Sequence, residues 1–333
     1  AGVDEILRQY GRYFIGERHA EGIAQGLLSL ERNWKGPLLT NSGVETTLAQ
    51  FQKMERSASP AELLNWRFQQ ALYRAYYDAF LRDRLIAETA QQNQAMEVLR
   101  QAKRIGTLAA LDQAHAILEQ ATLNPAAEDR HTRINELAEA LFQSIHMQLG
   151  SERYQGQRGR GTSQDTLELP LNDRLWLEPQ FDAFRKLETE QERVAAIDAL
   201  LNRTDPGPGG FYDDLGDPSA QPHLVRGIGF ENDPDYRHST WLGCDEFRLG
   251  WPKAWITFAM SMYDAPLTMH YKGLDPKSRY RVRVTYAKDR QGPIRLDAEG
   301  TEIHPLMVKP DPTEPQEFDL PPGITKDGEL TLN

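Results

Sequence analysis

The sequence predicts an α+β multidomain protein in which an N-terminal α-helical bundle precedes a C-terminal antiparallel β-sandwich. Apolar residues recur three or four positions apart from Val3 to about Leu201, as in helices with one buried face. Apolar and polar residues alternate in the last third of the chain, as in half-buried strands. We therefore predict a helical domain over residues 1–203, a junction over 204–222 and a sandwich domain over 223–333.

Six to eight helices fit the N-terminal region, and the clearest one begins after Ser59. Ser59 precedes a proline and lies three residues before Glu62, which is the pattern of a helix start. The apolar periodicity continues to about Gln101, so we expect one unbroken helix of on the order of 60 Å at 1.5 Å per residue.

One face of this long helix is polar and is formed by Arg67, Gln70, Arg74 and Asp78. Arg74 and Asp78 are four residues apart, a spacing at which a surface ion pair contributes a few tenths of a kcal/mol. We expect a solvated face, with the polar wall of a neighbouring domain's cleft as the alternative.

Proline and glycine are dense over residues 204–210, where the chain reads Thr-Asp-Pro-Gly-Pro-Gly-Gly. Proline lacks the backbone N–H that helices and central strands need, and glycine disfavours both. This composition predicts the junction between the two domains.

The strand pattern is clearest around residues 279–286. Tyr280, Val282, Val284 and Tyr286 point to one side of the predicted strand, and the other side carries Arg279, Arg281, Arg283 and Thr285. Similar alternation predicts strands at residues 254–260, 267–271, 294–296 and 318–320, and a final strand at 328–333.

The segment before that strand has a more specific pattern. Leu274, Pro276, Ser278 and Tyr280 have the spacing of a tyrosine corner, in which the phenolic oxygen bonds to the backbone a few residues upstream. This is similar to fibronectin type III modules. Strand-like segments continue further than in such a module, so we predict a jelly-roll or fibronectin III-like sandwich.

Charge and composition exclude several classes of partner. The chain has 38 Lys and Arg against 49 Asp and Glu, a net charge of −11, which disfavours nucleic acid because phosphate binding needs clustered positive charge. No run of about 18 apolar residues occurs, so we expect no membrane partner. Cys244 is the single cysteine, which excludes an internal disulfide.

Acidic residues are concentrated in and after the junction, where nine stand against Arg226 and Arg237. They are Asp205, Asp213, Asp214, Asp217, Glu231, Asp233, Asp235, Asp245 and Glu246. Carboxylates and loop carbonyls are ligands that Ca²⁺ prefers, so Asp205, Asp213, Asp214 and Asp217 are candidate ligands of a structural Ca²⁺. The alternatives are a solvated linker without a cofactor and a catalytic carboxylate pair.

Four aromatic residues are candidates for carbohydrate binding: Trp241, Trp251, Trp255 and Tyr263. Exposed flat rings on a sandwich stack on the apolar faces of sugars, and packing in the core is the alternative. Trp251 is the best exposed candidate, because a glycine and a proline flank it. The histidines have no metal-ligand spacing, and we interpret His223, His238, His270 and His304 as structural.

A family resemblance rests on five runs: Tyr13-Phe14-Ile15-Gly16, Gly26-Leu27-Leu28, Asn33-Trp34, Asn65-Trp66-Arg67-Phe68-Gln69-Gln70 and Gly209-Gly210-Phe211-Tyr212-Asp213-Asp214-Leu215-Gly216. With these the chain resembles the C-terminal half of large bacterial α-glucuronidase-like glycoside hydrolase proteins, in which a catalytic (β/α)-barrel precedes a helical domain and a β-sandwich. No catalytic residue carries over, because nothing here alternates strand and helix eight times.

The resemblance implies a polysaccharide or oligosaccharide partner, an N-terminal catalytic domain in the same polypeptide, and a secreted or periplasmic location without a signal peptide in this chain. The chain opens without a Met and closes on a strand, so we expect a piece of a longer protein. The main hypothesis is the helical and sandwich portion of a carbohydrate-active enzyme. The alternatives are a self-sufficient polysaccharide hydrolase or lyase with its site around residues 205–217, and a structural assembly module.

Overall fold

The computed structural model describes residues 2–156, 164–167, 169–227, 240–244, 250–263, 265–287 and 292–333, with the backbone only for Thr166, Trp241 and Cys244. The chain forms two compact units, Ala1–Arg174 and Leu175–Asn333. The predicted fold class is confirmed: a helical region is followed by antiparallel sheets. The predicted domain boundary at residue 203 stays a prediction, since compact units need not coincide with domains.

Helices account for almost all the regular structure of the first unit. They are α1 (Val3–Phe14), α2 (Ala20–Arg32), α3 (Gly43–Ser57), α4 (Pro60–Leu63), α5 (Trp66–Arg100), α6 (Ala102–Ile105), α7 (Thr107–Leu123), α8 (Glu128–Ile145), α9 (Ser151–Tyr154) and α10 (Gln164–Leu167), with 3₁₀ turns at Glu17–His19 and Leu38–Thr40. Two more helices, α11 (Arg174–Arg185) and α12 (Glu190–Leu201), precede the sheets. None of the described helices is long and apolar enough to cross a membrane.

The helix predicted from residue 60 onward is interrupted, and this part of the prediction was wrong. Ser59 and Glu62 do form the expected capping box, but it starts only the one-turn helix α4. Asn65 then begins α5: its side chain accepts the backbone N–H of Arg67 at 3.0 Å and donates to the carbonyl oxygen of Phe14. An asparagine that caps a new helix this way competes with continuation of the old one.

Helix α5 lies in the centre of the first unit and packs against α3, α7 and α8. Its Phe68 and Tyr73 are buried with Phe51 of α3 and Ile134 of α8 in one apolar cluster. A helix that packs on several sides does not show the one-sided apolar pattern of a surface helix.

The interpretation of Asp78 as part of a solvated face was also wrong, because its side chain is fully buried. It accepts hydrogen bonds from Asn33 Nδ2 at 2.9 Å, Trp34 Nε1 at 3.0 Å and Arg74 Nε at 2.8 Å. The end of α2 therefore covers this turn of α5. Burial raises the pKa of Asp78, and the charge of Arg74 opposes that shift.

The second unit contains the sheets. Its strands are β1 (Trp241–Cys244), β2 (Thr257–Met260), β3 (Met269–Lys272), β4 (Arg281–Val284), β5 (Ile294–Ala298), β6 (Thr301–Met307), β7 (Gln316–Asp319) and β8 (Glu329–Leu332), and the short helix α13 (Lys253–Ile256) precedes β2. The described strands pair antiparallel in the orders β3-β8-β5-β6, β4-β7 and β1-β2.

The sandwich core lies between the four-stranded sheet and the β4–β7 pair. Leu296 and Leu330 of the larger sheet pack in one cluster with Val282 and Phe318 of the smaller one. The arginines of β4 face outward, and Arg281 pairs there with side chains of β7. The alternation predicted for this strand is thus confirmed.

Two local predictions in the second unit had opposite outcomes. The tyrosine corner is confirmed, because the hydroxyl of Tyr280 accepts the backbone N–H of Asp275 at 2.7 Å. The strand predicted at 254–260 was wrong in its first half, where Ala254 and Ile256 lie in α13. Alternation over so few residues does not distinguish a strand from a single helical turn.

Candidate functional site

Asp213 lies against His223 in the second unit, at the start of the sandwich. The Nδ1 atom of His223 is 3.0 Å from Oδ2 and 3.2 Å from Oδ1 of Asp213, and its backbone N–H donates to Oδ1 at 3.3 Å. The carboxylate is 4% exposed and the imidazole is 20% exposed. A nearly buried carboxylate therefore orients a partly accessible imidazole.

Backbone pairing beside β3 fixes the position of His223. Its carbonyl oxygen accepts the N–H of His270 at 2.8 Å, and the N–H of Val225 donates to the carbonyl oxygen of Thr268 at 2.9 Å. The intervening Leu224 bridges Met269 antiparallel and enters the sandwich core. The imidazole is thus held by the sheet, although it belongs to a segment outside the named strands.

Two aromatic rings complete this site. The imidazole of His223 stacks on the ring of Tyr271 with centroids 4.6 Å apart, and Phe211 meets the imidazole edge-on at 4.6 Å. The rings of Phe211 and Tyr271 are 5.5 Å apart. Phe211 is 38% exposed, so part of its ring faces solvent. We refer to Phe211, Asp213, His223 and Tyr271 as the Asp213–His223 cluster.

Tyr271 and His223 both contact Asp213, and they differ in how they bond to it. Burial raises the pKa of Tyr271 well above its ordinary value, and the carboxylate of Asp213 adds to that shift. The phenol therefore stays protonated at neutral pH and donates to Asp213. In the neutral imidazole, an Nδ1 that donates to the carboxylate leaves Nε2 of His223 as an acceptor.

The other candidate metal ligands stand in turns of their own. Asp205, Asp214 and Asp217 each accept the backbone N–H of the residue two positions later, at 2.9, 3.1 and 2.9 Å. Such local bonds are the usual role of aspartate in loops. Among the described residues no group of three or more His, Cys, Asp or Glu side chains is placed to hold a metal. The structural Ca²⁺ stays a prediction.

Five further acidic residues of the predicted cluster lie outside the described residues: Glu231, Asp233, Asp235, Asp245 and Glu246.

The candidate sugar-binding aromatics are only partly brought together. The rings of Trp251 and Trp255 meet edge-on with centroids 6.1 Å apart, and both side chains are half-buried. Tyr263 is 76% exposed on a left-handed backbone with φ of 58°. Trp241 begins β1, and its side chain lies outside the described part of the chain.

A close backbone contact links this aromatic pair to the Asp213–His223 cluster. A Cβ at Gly216 would lie 2.2 Å from Oγ1 and 2.4 Å from the carbonyl carbon of Thr257, so no larger residue fits without movement. Thr257 begins β2 directly after the helix that carries Trp255. The segment that contains Asp213 therefore packs against the segment that contains the tryptophans.

Sequence reasoning selected Asp213 but missed its partners. His223 was interpreted as structural because the histidines have no metal-ligand spacing. Phe211 was noted only as part of the run Gly209 to Gly216. That dense aromatic and acidic run is the signal that could have identified it.

Comparison with protein-family models, with curated proteins and with solved structures gave no significant match for this chain.

Proposed function

We propose that the second unit binds a polysaccharide or oligosaccharide at the Asp213–His223 cluster, as the sandwich of a carbohydrate-active enzyme whose catalytic domain lies N-terminal in the same polypeptide. The observation that carries the proposal is the oriented imidazole of His223 beside the exposed ring of Phe211. The family resemblance supports the wider context.

The chemistry of the cluster suits a sugar ring. The exposed part of Phe211 offers an apolar face for the C–H groups of the sugar, and such aromatic contacts combine large contact area with defined geometry. Nε2 of His223 offers an acceptor for a hydroxyl group. A few convergent polar groups beside an apolar wall are the usual composition of a small-ligand site.

Native affinity electrophoresis in gels that contain plant or algal polysaccharides tests the proposal. We expect retardation of the wild-type chain and weaker retardation of Phe211→Ala and His223→Ala, by about tenfold in affinity for each. Tyr13→Ala is the matched control, because Tyr13 is 86% exposed and belongs to the first unit. Equal retardation of all three variants and the wild type would place the binding elsewhere.

The tryptophan pair is tested in the same gels. If Trp251 and Trp255 extend the sugar-binding surface, Trp255→Ala weakens retardation further when it is combined with Phe211→Ala. No added loss in the double variant assigns the pair to packing alone.

A second candidate function is proton transfer, in a polysaccharide lyase or hydrolase. It is favoured by the nearly buried carboxylate of Asp213, because a carboxylate that fixes the tautomer of an imidazole is how histidine general bases are oriented. Tyr271, protonated at neutral pH, is a second hydrogen-bond donor to the same carboxylate.

Two neighbouring aspartates provide a matched test of catalysis. Asp213 contacts His223, whereas Asp214 accepts a backbone N–H within its own turn. Asp213→Asn should abolish the release of reducing or unsaturated ends from polysaccharide, and Asp214→Asn should leave it unchanged. Turnover that survives Asp213→Asn would exclude this mechanism.

Structural Ca²⁺ is the cofactor that the acidic segment favours, and its candidate ligands are Asp205, Asp213, Asp214 and Asp217. Thermal unfolding with added Ca²⁺ and with a chelator tests it. A specific ion stabilises the folded state by mass action, so the melting temperature should rise with Ca²⁺ and not with Mg²⁺. An unchanged melting temperature would remove Ca²⁺ from the proposal.

A further inference from the structure

The first unit contains a half-open pocket of about 290 Å³ beside the N-terminal turns of α5. Its walls are mainly apolar and include Ile23, Leu27 and Leu30 of α2, together with Met147 and Leu149. The volume lies just below the roughly 300–1,000 Å³ that is typical of small-ligand sites. The pocket therefore has the size and walls for a short apolar body.

One side of the pocket is polar and carries Arg67, Gln70 and Arg74 of α5. Arg67 is half-buried, and its guanidinium carbon is 4.3 Å from the ring centroid of Phe14 and 4.0 Å from that of Trp66. Stacking on two rings holds a guanidinium in place while its N–H groups stay available.

Arg67 and Arg74 differ in their ion pairing. Arg74 pairs with the buried Asp78 at 2.8 Å, whereas no carboxylate of the described residues pairs with Arg67. A fixed arginine at the edge of an apolar pocket favours an anion there, because a charge-assisted hydrogen bond to guanidinium is about twice as strong as a neutral one. Gln70 lies one turn away and adds an amide donor.

We propose that this pocket binds a medium-chain aliphatic carboxylate, with its carboxylate on Arg67 and Gln70 and its chain against the apolar walls. The walls bind the chain by burial of apolar surface, and Arg67 selects the charge of the head group. The pocket is formed by residues of the first unit, so the proposal does not depend on saccharide binding by the second unit.

Isothermal titration calorimetry of the full chain with octanoate, octan-1-ol and octyltrimethylammonium tests the proposal. The three probes share a chain and differ in head-group charge. We expect octanoate to bind on the order of tenfold more tightly than octan-1-ol, and the cation to bind least. Absence of binding by octanoate, or equal binding of octanoate and octan-1-ol, would overturn the assignment.

Two variants and one control variant test whether octanoate binds in this pocket. Arg67→Gln should weaken octanoate by about tenfold and leave octan-1-ol unchanged, because only the charged contact is removed. Leu27→Phe should weaken both ligands, because it fills the pocket. Arg100→Gln is the matched control on the same helix, since Arg100 is exposed and pairs with Glu97.

Circular dichroism first establishes that each variant is folded. If Arg67→Gln fails to fold, Arg67→Lys keeps the charge without the planar fork, and weaker octanoate binding at unchanged octan-1-ol binding is then the supporting result. Octanoate binding that is unchanged in the folded Arg67 variant contradicts the proposal.

Discussion

Two aspartates with buried carboxylates, one in each unit, differ in the groups that contact them. Asp78 is fully buried and Asp213 is 4% exposed. Asp78 is surrounded by the fixed donors of Asn33, Trp34 and Arg74. Asp213 instead contacts His223, whose ring is partly accessible. Burial of a carboxylate alone therefore does not distinguish the two aspartates, and the accessible ring of His223 is what supports the proposal at Asp213.

The difference follows from where each residue stands in the chain. Asp78 lies within the 35-residue helix α5, where the packing of neighbouring helices holds the surrounding side chains in place. Asp213 lies in a loop that is pinned against the sandwich by the contact between Gly216 and Thr257. Loops positioned by a rigid scaffold are where binding residues are usually found.

The largest effect is expected for Asp78→Ala, which should lower the free energy of unfolding by about 3–5 kcal/mol. The variant leaves Arg74, Asn33 and Trp34 without their shared acceptor. Urea unfolding followed by the helical circular dichroism signal measures it. Asp78→Asn is the control and should cost less, since it keeps one acceptor oxygen. A loss below about 1 kcal/mol for Asp78→Ala would contradict the structural role.

A smaller effect is expected for Asp213→Ala, about 1–3 kcal/mol, because it removes the acceptor of Tyr271 and of His223. Partial exposure lets His223 bond to water instead. Asp214→Ala is the control, since its carboxylate accepts a backbone N–H within its own turn. Urea unfolding of Asp78→Ala and Asp213→Ala measures the loss in the free energy of unfolding for each variant. Equal losses would show that the two carboxylates have the same structural role.

The sequence predicted the order of the elements better than their environment. Helical periodicity and strand alternation identified the bundle and the sandwich, and the spacing from Leu274 to Tyr280 identified a hydrogen bond that is present. These patterns depend on residues that are close together in the chain, so they can be recognised in the sequence. The spacing of Arg74 and Asp78 identified their ion pair, but not the cover provided by α2.

The candidate site was less accessible to sequence reasoning. Asp213 meets His223 through a loop that returns to β3, and such a contact depends on backbone pairing between Leu224 and Met269. No spacing of residues in the sequence predicts that this loop returns to β3. Asp205, Asp214 and Asp217 are indistinguishable from Asp213 in the sequence. The residue type does not show whether an aspartate bonds within its own turn, as these three do, or to a residue elsewhere in the fold.

The tyrosine corner gives a third test, inside the second unit alone. Tyr280→Phe should lower the free energy of unfolding by about 1 kcal/mol, the value of one neutral hydrogen bond. Saccharide binding should stay unchanged, because Tyr280 is not part of the Asp213–His223 cluster. Urea unfolding and affinity electrophoresis measure the two quantities. Reduced binding together with normal stability would mean that the corner belongs to the site.

The smallest effect concerns alkaline pH and follows from tyrosines in both units. Burial raises the pKa of Tyr73 in the first unit and of Tyr271 in the second far above the ordinary value, and raises that of Tyr286 to about 12. Above pH 10 the unfolded chain binds fewer protons at these groups than the folded chain does. The free energy of unfolding therefore falls as the pH rises through the ordinary tyrosine pKa.

At about half a pH unit above the ordinary tyrosine pKa, each such tyrosine lowers the free energy of unfolding by about 0.8 kcal/mol. Urea unfolding of wild type and Tyr271→Phe from about pH 8 to about pH 10.5 measures the slope. The variant should show a shallower decline, since one titrating phenol is gone, whatever its stability at neutral pH. Equal slopes would mean that Tyr271 ionises as readily in the folded chain as in the unfolded one, which its bond to Asp213 opposes.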